Sequence, residues 1–407
     1  MIDADALARV RALIAEPVLA GVLGVLNPAG EETRVVGGAV RNALLGIAVQ
    51  DVDLGTTMAP EEVSRRAKAA GWQVVPTGIE HGTLTLVQAG RSFEVTTLRE
   101  DIETDGRRAV VRFGQDFTHD AARRDFTINA LSMGPDSVLH DYFGGAADLA
   151  ARRVRFIGDA DQRLSEDYLR GLRFFRFSAA YGSGQLDPAG FAAVLRHRQG
   201  FAQLSRERVR QEMLKLLMAE RALPVIEQAE TEGILSEILG FVLDVRAFTQ
   251  ALRFAGPVNV DLDAMARLAA LAGPHAGDEA ALWQGRLRLS NAEIKALNRY
   301  AQAVACEPAS PRLLRYRFSE QALPALVLRA AMRVDPEHEL PERLTEAHKP
   351  APEFLITGAD IVAAGVLPGP RVGKILARIE ADWIAAGLPA DREAQRRFLE
   401  AAVDQQR

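Results

Sequence analysis

Two glycines and two aspartates near the start of the chain have the types and spacing for phosphate chemistry. Gly37 and Gly38 follow Val35-Val36 and precede Ala39-Val40-Arg41-Asn42, and Asp51-Val52-Asp53-Leu54 comes about a dozen residues later. Glycines after a strand permit a tight turn and close backbone approach to a ligand. A helix predicted over Ala39–Leu45 would turn its unpaired amides and positive dipole end toward an anion. Arg41, in its first turn, can reach the same anion. An ordinary strand-to-helix turn has the same composition, so the aspartates matter. Two apart on a strand, Asp51 and Asp53 share one face while Val52 and Leu54 face the core. Paired carboxylates repel, and a hard divalent cation such as Mg²⁺ takes such oxygens together with a substrate's phosphates. A solvated loop after Gln50 is the alternative for an isolated Asp-x-Asp. Behind a Gly-Gly turn, the metal reading of Asp51 and Asp53 is favoured. Glu94, on a predicted strand, is either a third carboxylate for that metal or a partner for Arg91.

Further along, Arg123-Arg124-Asp125 precedes a stretch, Phe126–Met133, that reads as helical. Arg124 can bind phosphate through its guanidinium fork. Asp125 can accept a ribose hydroxyl or cap the helix. Glu166–Phe177 is strongly helical in pattern, with Asp167, Arg170, Arg173 and Arg176 three residues apart. On a helix these form a continuous spiral row. Glu166 and Arg170, four apart, can instead form an intrahelical ion pair. Ser205 suits a helix cap and Arg208–Glu212 an i,i+4 pair, so Arg206–Met218 reads as a brace for that row.

The elements that must position these groups change character along the chain. Short apolar runs with strand character occur at Thr33–Val36, Val52–Leu54, Gln73–Val75, Thr83–Val87, Ser92–Thr97 and Ala109–Phe113, with a helix over Pro60–Ala70. The charged stretch between Arg99 and Arg112, from Glu100 to Arg108, reads as a solvated loop. Beyond about residue 158 the pattern is helical, including Leu164–Ala180, Arg206–Met218, Val242–Phe254 and Ile375–Ala386. The expected fold is α+β: a small α/β head with a mixed sheet over 1–157, a helical neck over 158–220, and an elongated helical body and tail over 221–407.

Gly37-Gly38-Ala39-Val40-Arg41 followed by Asp51-x-Asp53 resembles the first signature of the class II tRNA nucleotidyltransferases, the CCA-adding enzymes, which share it with bacterial poly(A) polymerases. His81-Gly82-Thr83 and Glu94-Val95-Thr96-Thr97-Leu98-Arg99 resemble the family's middle strands. Arg123–Leu131 resembles its second signature, and Asp141–Leu149 the segment leading into its neck. The likeness runs from about residue 33 to residue 218. One position departs: Asn42 stands where the family usually has Asp.

The resemblance implies a nucleotidyltransferase that adds CCA to the 3′ end of tRNA from CTP and ATP without a nucleic-acid template. Asp51 and Asp53 would hold two Mg²⁺ ions and pyrophosphate would leave. Gly37, Gly38, Arg41 and Arg124 would bind nucleotide phosphates, and Asp125 would read the ribose 2′-OH. Asp167 and Arg170 would read the base, with Arg173 and Arg176 extending the row. A carboxylate accepts and a guanidinium donates. Cytosine and adenine, each with an amino donor beside a ring acceptor, fit that pair, whereas uracil O4 and guanine O6 oppose the carboxylate. The charged segment after Arg99 would be mobile during the switch from CTP to ATP. The C-terminal half would grip the tRNA acceptor–TΨC arm. Poly(A) addition, addition of CC or A alone, and a catalytically silent RNA-binding protein are the alternatives.

Composition agrees with a soluble globular protein. Of 407 residues, 48% are hydrophobic and 25% charged, which excludes wholesale disorder. The single cysteine, Cys306, excludes an intramolecular disulfide and a Cys-rich zinc site. The seven histidines are scattered, which argues against an appended metal phosphohydrolase domain. No apolar run is long enough to span a membrane. Asp3 and Asp5 near the start argue against a secretory signal, so a cytoplasmic location is expected, with no obligate protein partner. Arg outnumbers Lys 44 to 5, which base composition alone can explain. The net charge of −5 hides an asymmetry: residues 151–218 carry 13 Lys and Arg against 7 Asp and Glu. Basic charge is thus concentrated in the expected nucleotide- and RNA-handling neck.

Overall fold

A computed structural model describes residues 2–28, 30–78, 82–104, 109–273 and 280–404. These fall into two compact units, one up to Ile238 and one from Leu239 onward. The first opens with helices α1 (Ala4–Ile14) and α2 (Pro17–Leu26). Asp3 caps α1 by accepting the Ala6 amide at 2.7 Å, and Pro17 starts α2 with its preset φ.

Nine strands follow: β1 (Thr33–Val36), β2 (Asp53–Thr56), β3 (Gln73–Gly78), β4 (Thr83–Gln88), β5 (Arg91–Thr97), β6 (Arg99–Thr104), β7 (Ala109–Phe113), β8 (Ser132–Met133) and β9 (Leu139–His140). Seven build one sheet in the order β3-β4-β5-β2-β1-β8-β9. β2 runs parallel to β5 and the other neighbours are antiparallel, so the sheet is mixed, as expected. β1 is an interior strand, between β2 and β8, with all four residues buried. Its polar groups are paired there: the Thr33 hydroxyl bonds the Leu26 carbonyl and Thr56, and Arg34 lies 4.0 Å over the Phe117 ring. Helices α3 (Gly38–Leu45) and α4 (Pro60–Ala69) follow β1 and β2 in the chain; α1 packs on α3, and α2 on α4 and β1.

β6 and β7 form a separate antiparallel ribbon. The loop expected from Glu100 is therefore strand at least to Thr104, because pairing between strands outweighs weak local propensity. Residues 105–108, and His81 of the family resemblance, lie outside the described residues.

Helices α5 (Phe117–Ala122) and α6 (Gly145–Ala150) lead to α7 (Ala160–Glu166), α8 (Leu169–Tyr181), α9 (Pro188–Arg196), α10 (Arg206–Met218) and α11 (Ala222–Thr231). A buried aromatic cluster anchors α8. Phe126 lies 5.0 Å from Phe156 and 5.2 Å from Phe177, and Phe156 stacks on Phe174 at 5.4 Å. Such pairs add about 0.5–1.5 kcal/mol each beyond burial.

Two expected helices are corrected. Leu164–Ala180 is not continuous: Asp167 is extended, at φ −157° and ψ 106°, and separates α7 from α8. Its carboxylate accepts the Leu169 amide at 3.0 Å, which restarts the helix. Phe126–Met133 is a 3-10 turn, Thr127–Asn129, followed by β8, because β1 offers Ser132 and Met133 a pairing edge.

Gly145 shows how tightly α6 is seated. A Cβ there would lie 2.1 Å from the Thr127 carbonyl oxygen, and the obstacle is backbone. Gly145→Ala is expected to cost about 2 kcal/mol or more, as a lower midpoint in urea unfolding. An unchanged midpoint would contradict this packing.

Among the described residues beyond Leu239 every regular element is helical, from Val245–Ala255 to Arg392–Asp404. Buried Arg329 organises part of this unit, with Asp335 at 2.7 Å, Glu307 at 2.8 Å and the Cys306 carbonyl at 3.0 Å. Ile356, Ile361, Ile375, Ile379 and Leu399 form a further core. Among the described residues, no helix is long and apolar enough to cross a membrane.

Candidate active site

The chain leaves β1 through Gly37, at φ +68°, and enters α3 at Gly38. A side chain at Gly37 would be strained, and its Cβ would stand 2.7 Å from the Arg124 Nη1. The missing side chain thus makes room for a guanidinium. Arg41 departs from expectation. It is only 6% exposed and is held by side chains: it donates to Asn129 Oδ1, to Asn42 Oδ1 at 2.8 Å, and to the Tyr181 hydroxyl at 2.9 Å. Its guanidinium lies 3.8 Å over the Tyr181 ring. Burial lowers its pKa to about 10, with Arg176 and Arg173 adding to the fall and Tyr181 and Asp125 opposing it. Asn42, where the family usually has Asp, supplies a neutral acceptor to this arginine.

β2 begins at Asp53, so Asp51 and Val52 precede the strand, although Val52 and Leu54 are buried as expected. Asp53 pairs in register with Glu94 on the parallel neighbour β5, and opposed residues in such a pair point to one face. Asp53 keeps solvent access, yet its carboxyl pKa is raised. Desolvation is the largest cause, followed by Glu94; Arg124 opposes and Asp51 adds. Asp51, Asp53 and Glu94 make no ion pair among the described residues. Arg91 pairs with Glu16 at 3.4 Å and not with Glu94. Neighbouring carboxylates without an ion-pair partner among the described residues fit a hard divalent cation. The described residues contain no gathered group of three or more potential ligands, so Glu94 is beside Asp53 without completing a coordination shell.

Arg124 is fixed by Asp120, whose Oδ2 accepts from it at 3.0 Å while Oδ1 accepts from Arg123. Asp120 is buried, and burial alone would raise its pKa; Arg124 and Arg123 outweigh that and lower it. Asp125 is not a cap for a following helix. Its Oδ1 accepts the Phe126 amide and the Asn129 Nδ2, both at 2.9 Å, and its Oδ2 accepts Arg173 Nε at 2.7 Å.

The expected row on α8 is also modified. Asp167 stands off the helix, and its Oδ2 accepts Arg208 at 2.6 Å. Arg170 pairs with Glu166, and its Nη1 also reaches the Arg163 carbonyl at 3.1 Å. Arg176 pairs with Glu212, which Arg173 approaches at 3.8 Å. The expected Arg208–Glu212 pair within α10 is therefore replaced by two pairs to the α7–α8 segment. Ser205 precedes α10 without a capping hydrogen bond.

These residues enclose a cavity of about 510 Å³. Gly38, Arg41, Arg124, Asp125, Asp167, Arg170 and Arg173 line it, all expected from the sequence. Asn129 and Arg208 line it as well and were missed as site residues; Phe177 and Leu169 supply apolar surface. Asn129 lay within a quoted motif, but only the fold reveals its place between Arg41 and Asp125. Asp51, Asp53, Glu94, Gly37 and Arg176 are not on the cavity lining.

A glycine turn, a carboxylate pair and an arginine-lined cavity are what a nucleotide-handling site would need. Comparison with known proteins agrees. Residues 33–155 match the family described as the poly A polymerase head domain, and residues 185–242 the one described as the probable RNA and SrmB-binding site of polymerase A. The mitochondrial CCA tRNA nucleotidyltransferase 1 of Danio rerio is 42% identical over a segment spanning 53% of this chain and 51% of that relative, about half its length. The CCA-adding enzyme of Levilactobacillus brevis is 32% identical over 92% of this chain and 94% of its own. The CCA-adding enzyme of Bacillus stearothermophilus, solved in complex with CTP, superposes with a TM-score of 0.73 at 26% identity, covering 96% of this chain and 99% of that one. The chain belongs to the CCA-adding family of tRNA nucleotidyltransferases, whose head is shared with poly(A) polymerases.

Proposed function

We propose that the chain adds CCA to the 3′ end of tRNA from CTP and ATP, releasing pyrophosphate. The observation that carries this reading is the cavity, in which Gly38, Arg124, Asp125, Asp167 and Arg170 meet. Family membership and the CTP complex of the Bacillus stearothermophilus enzyme support it. Residues 1–157 act as the catalytic head, 158–220 as the base-reading neck, and 221–407 as the tRNA-binding body and tail. A cytoplasmic location is part of the same reading.

In this mechanism Gly37 and Gly38 keep the strand-to-helix turn open to the triphosphate, and Arg124 donates to its oxygens. Arg41 acts through Asn129 and the turn instead of as a free phosphate ligand. Asp125 accepts the ribose 2′-OH. Each Asp167 oxygen keeps a further lone pair for the amino group of cytosine or adenine, and Arg170 donates to the ring nitrogen. Arg208 holds the Asp167 carboxylate, and Glu212 holds Arg173 and Arg176. Asp51 and Asp53 would hold Mg²⁺, with Glu94 beside Asp53 adding negative charge to the same face. Two Mg²⁺ ions held there would supply Lewis-acid chemistry for the tRNA 3′-hydroxyl and charge neutralisation for the triphosphate and the leaving pyrophosphate.

The deciding experiment offers the protein a tRNA lacking CCA, with Mg²⁺ and each nucleotide alone and then together. Addition of C, C and A followed by a stop is expected. A long adenylate tail selects poly(A) polymerase, to which the head-domain match also points. A stop after CC, or A alone, selects a partial enzyme. No incorporation by folded protein defeats the transferase reading and leaves an RNA-binding protein.

A further inference from the structure

Tyr181 closes α8 and is not on the cavity lining. It nevertheless begins a hydrogen-bonded circuit that ends at the sugar-reading group. The Tyr181 hydroxyl accepts from Arg41 Nη2 at 2.9 Å, and the ring supports the same guanidinium at 3.8 Å. Arg41 Nη1 donates to Asn129 Oδ1. Asn129 Nδ2 donates to Asp125 Oδ1 at 2.9 Å, and Asp125 Oδ2 accepts Arg173 Nε at 2.7 Å. Arg173 is again on α8. Phe177 stands between the two ends of the circuit, with the Arg41 and Arg173 guanidiniums 5.3 and 5.1 Å from its ring centre.

The circuit settles which way the Asn129 amide points. With Arg41 seated, Oδ1 must face the cation, so Nδ2 faces the Asp125 carboxylate. Without that seat the amide is free to flip, and its oxygen would then oppose the carboxylate and displace it. We propose that Tyr181 is a positioning residue for sugar selection, acting through Arg41 and Asn129 to hold Asp125 where a ribose 2′-OH binds. This rests on the role given to Asp125 above.

Binding of CTP and of dCTP to wild type, Tyr181→Phe and Tyr181→Leu, measured by calorimetry with Mg²⁺, tests it. Phe keeps the ring and loses the hydroxyl, whereas Leu loses both. The CTP-over-dCTP preference is expected to fall about tenfold in Tyr181→Leu and by less in Tyr181→Phe, mainly through weaker CTP binding. A merely structural role would weaken both nucleotides alike or lower only the unfolding midpoint. If Tyr181→Leu does not fold, Tyr181→Phe carries the test. Wild-type protein without sugar preference, or variants that keep the wild-type ratio, overturn the proposal. Incorporation of CTP into tRNA by wild type is scored separately, so failure of the transferase reading is distinguishable from failure of this one.

Discussion

Asp53→Asn is expected to reduce nucleotide incorporation about a thousandfold or more, some 4 kcal/mol of transition-state stabilisation. The same substitution is expected to make the metal-free protein more stable at neutral pH. Burial and the neighbouring Glu94 and Asp51 raise the Asp53 pKa, so its protonated form is favoured in the folded state. Folding then binds more protons than unfolding does. Stability therefore falls as pH rises from the ordinary aspartate pKa through the raised folded value, and the cost is constant above it. Asparagine has no charge to bury and escapes that cost. Unfolding midpoints of the two proteins should differ at neutral pH without metal and converge in acid. Mg²⁺ should raise the wild-type midpoint and leave the variant's nearly unchanged. A variant with wild-type incorporation, or one whose midpoint Mg²⁺ raises as it does the wild type's, would remove Asp53 from the metal site.

Asp167→Ala is expected to collapse the preference for CTP over UTP about a hundredfold, read as the ratio of kcat/KM values with tRNA lacking CCA. Two losses combine. Arg208 loses its carboxylate partner, and Leu169 loses the acceptor that restarts α8. Asp167→Asn separates them, since its amide oxygen still accepts the Leu169 amide. The amide NH₂ then takes the place of the charged oxygen and can donate to uracil O4, so this variant should accept UTP better than the alanine variant does. An unchanged CTP/UTP ratio in Asp167→Ala would refute the base-reading role.

Much of this site was legible in the sequence where the signal is local. β1 and α10 have the bounds expected from Thr33–Val36 and Arg206–Met218. Short apolar runs next to glycine, or apolar spacing beyond a serine, suffice for that. The break at Asp167 was not legible, because helical periodicity continues on both sides of it and a single carboxylate restarts the helix. The β8 pairing was hidden for a different reason: its partner β1 lies about a hundred residues upstream. Charge pairing was legible only in part: Glu166 and Arg170 pair at the spacing of four, as the sequence allowed. Spacing suggested Arg208 with Glu212, and both found partners elsewhere, Asp167 and Arg176, once α10 packed on α8. Spacing on one helix names the pairs that are possible, and packing decides which of them form.

Every arginine lining the cavity already has an oxygen partner: Arg41 has Asn129, Arg124 has Asp120, Arg170 has Glu166, Arg173 has Asp125 and Arg208 has Asp167. The pocket is therefore no open electropositive trap. On the proposed reading, a nucleotide entering it would add its oxygens to guanidiniums that already hold one partner, through the N–H groups which those contacts leave over. A triphosphate joined to a base that pairs with Asp167 and a sugar that pairs with Asp125, as proposed above, would meet several of these groups at once. Charge balance within the pocket would then favour a complete nucleotide over a bare anion.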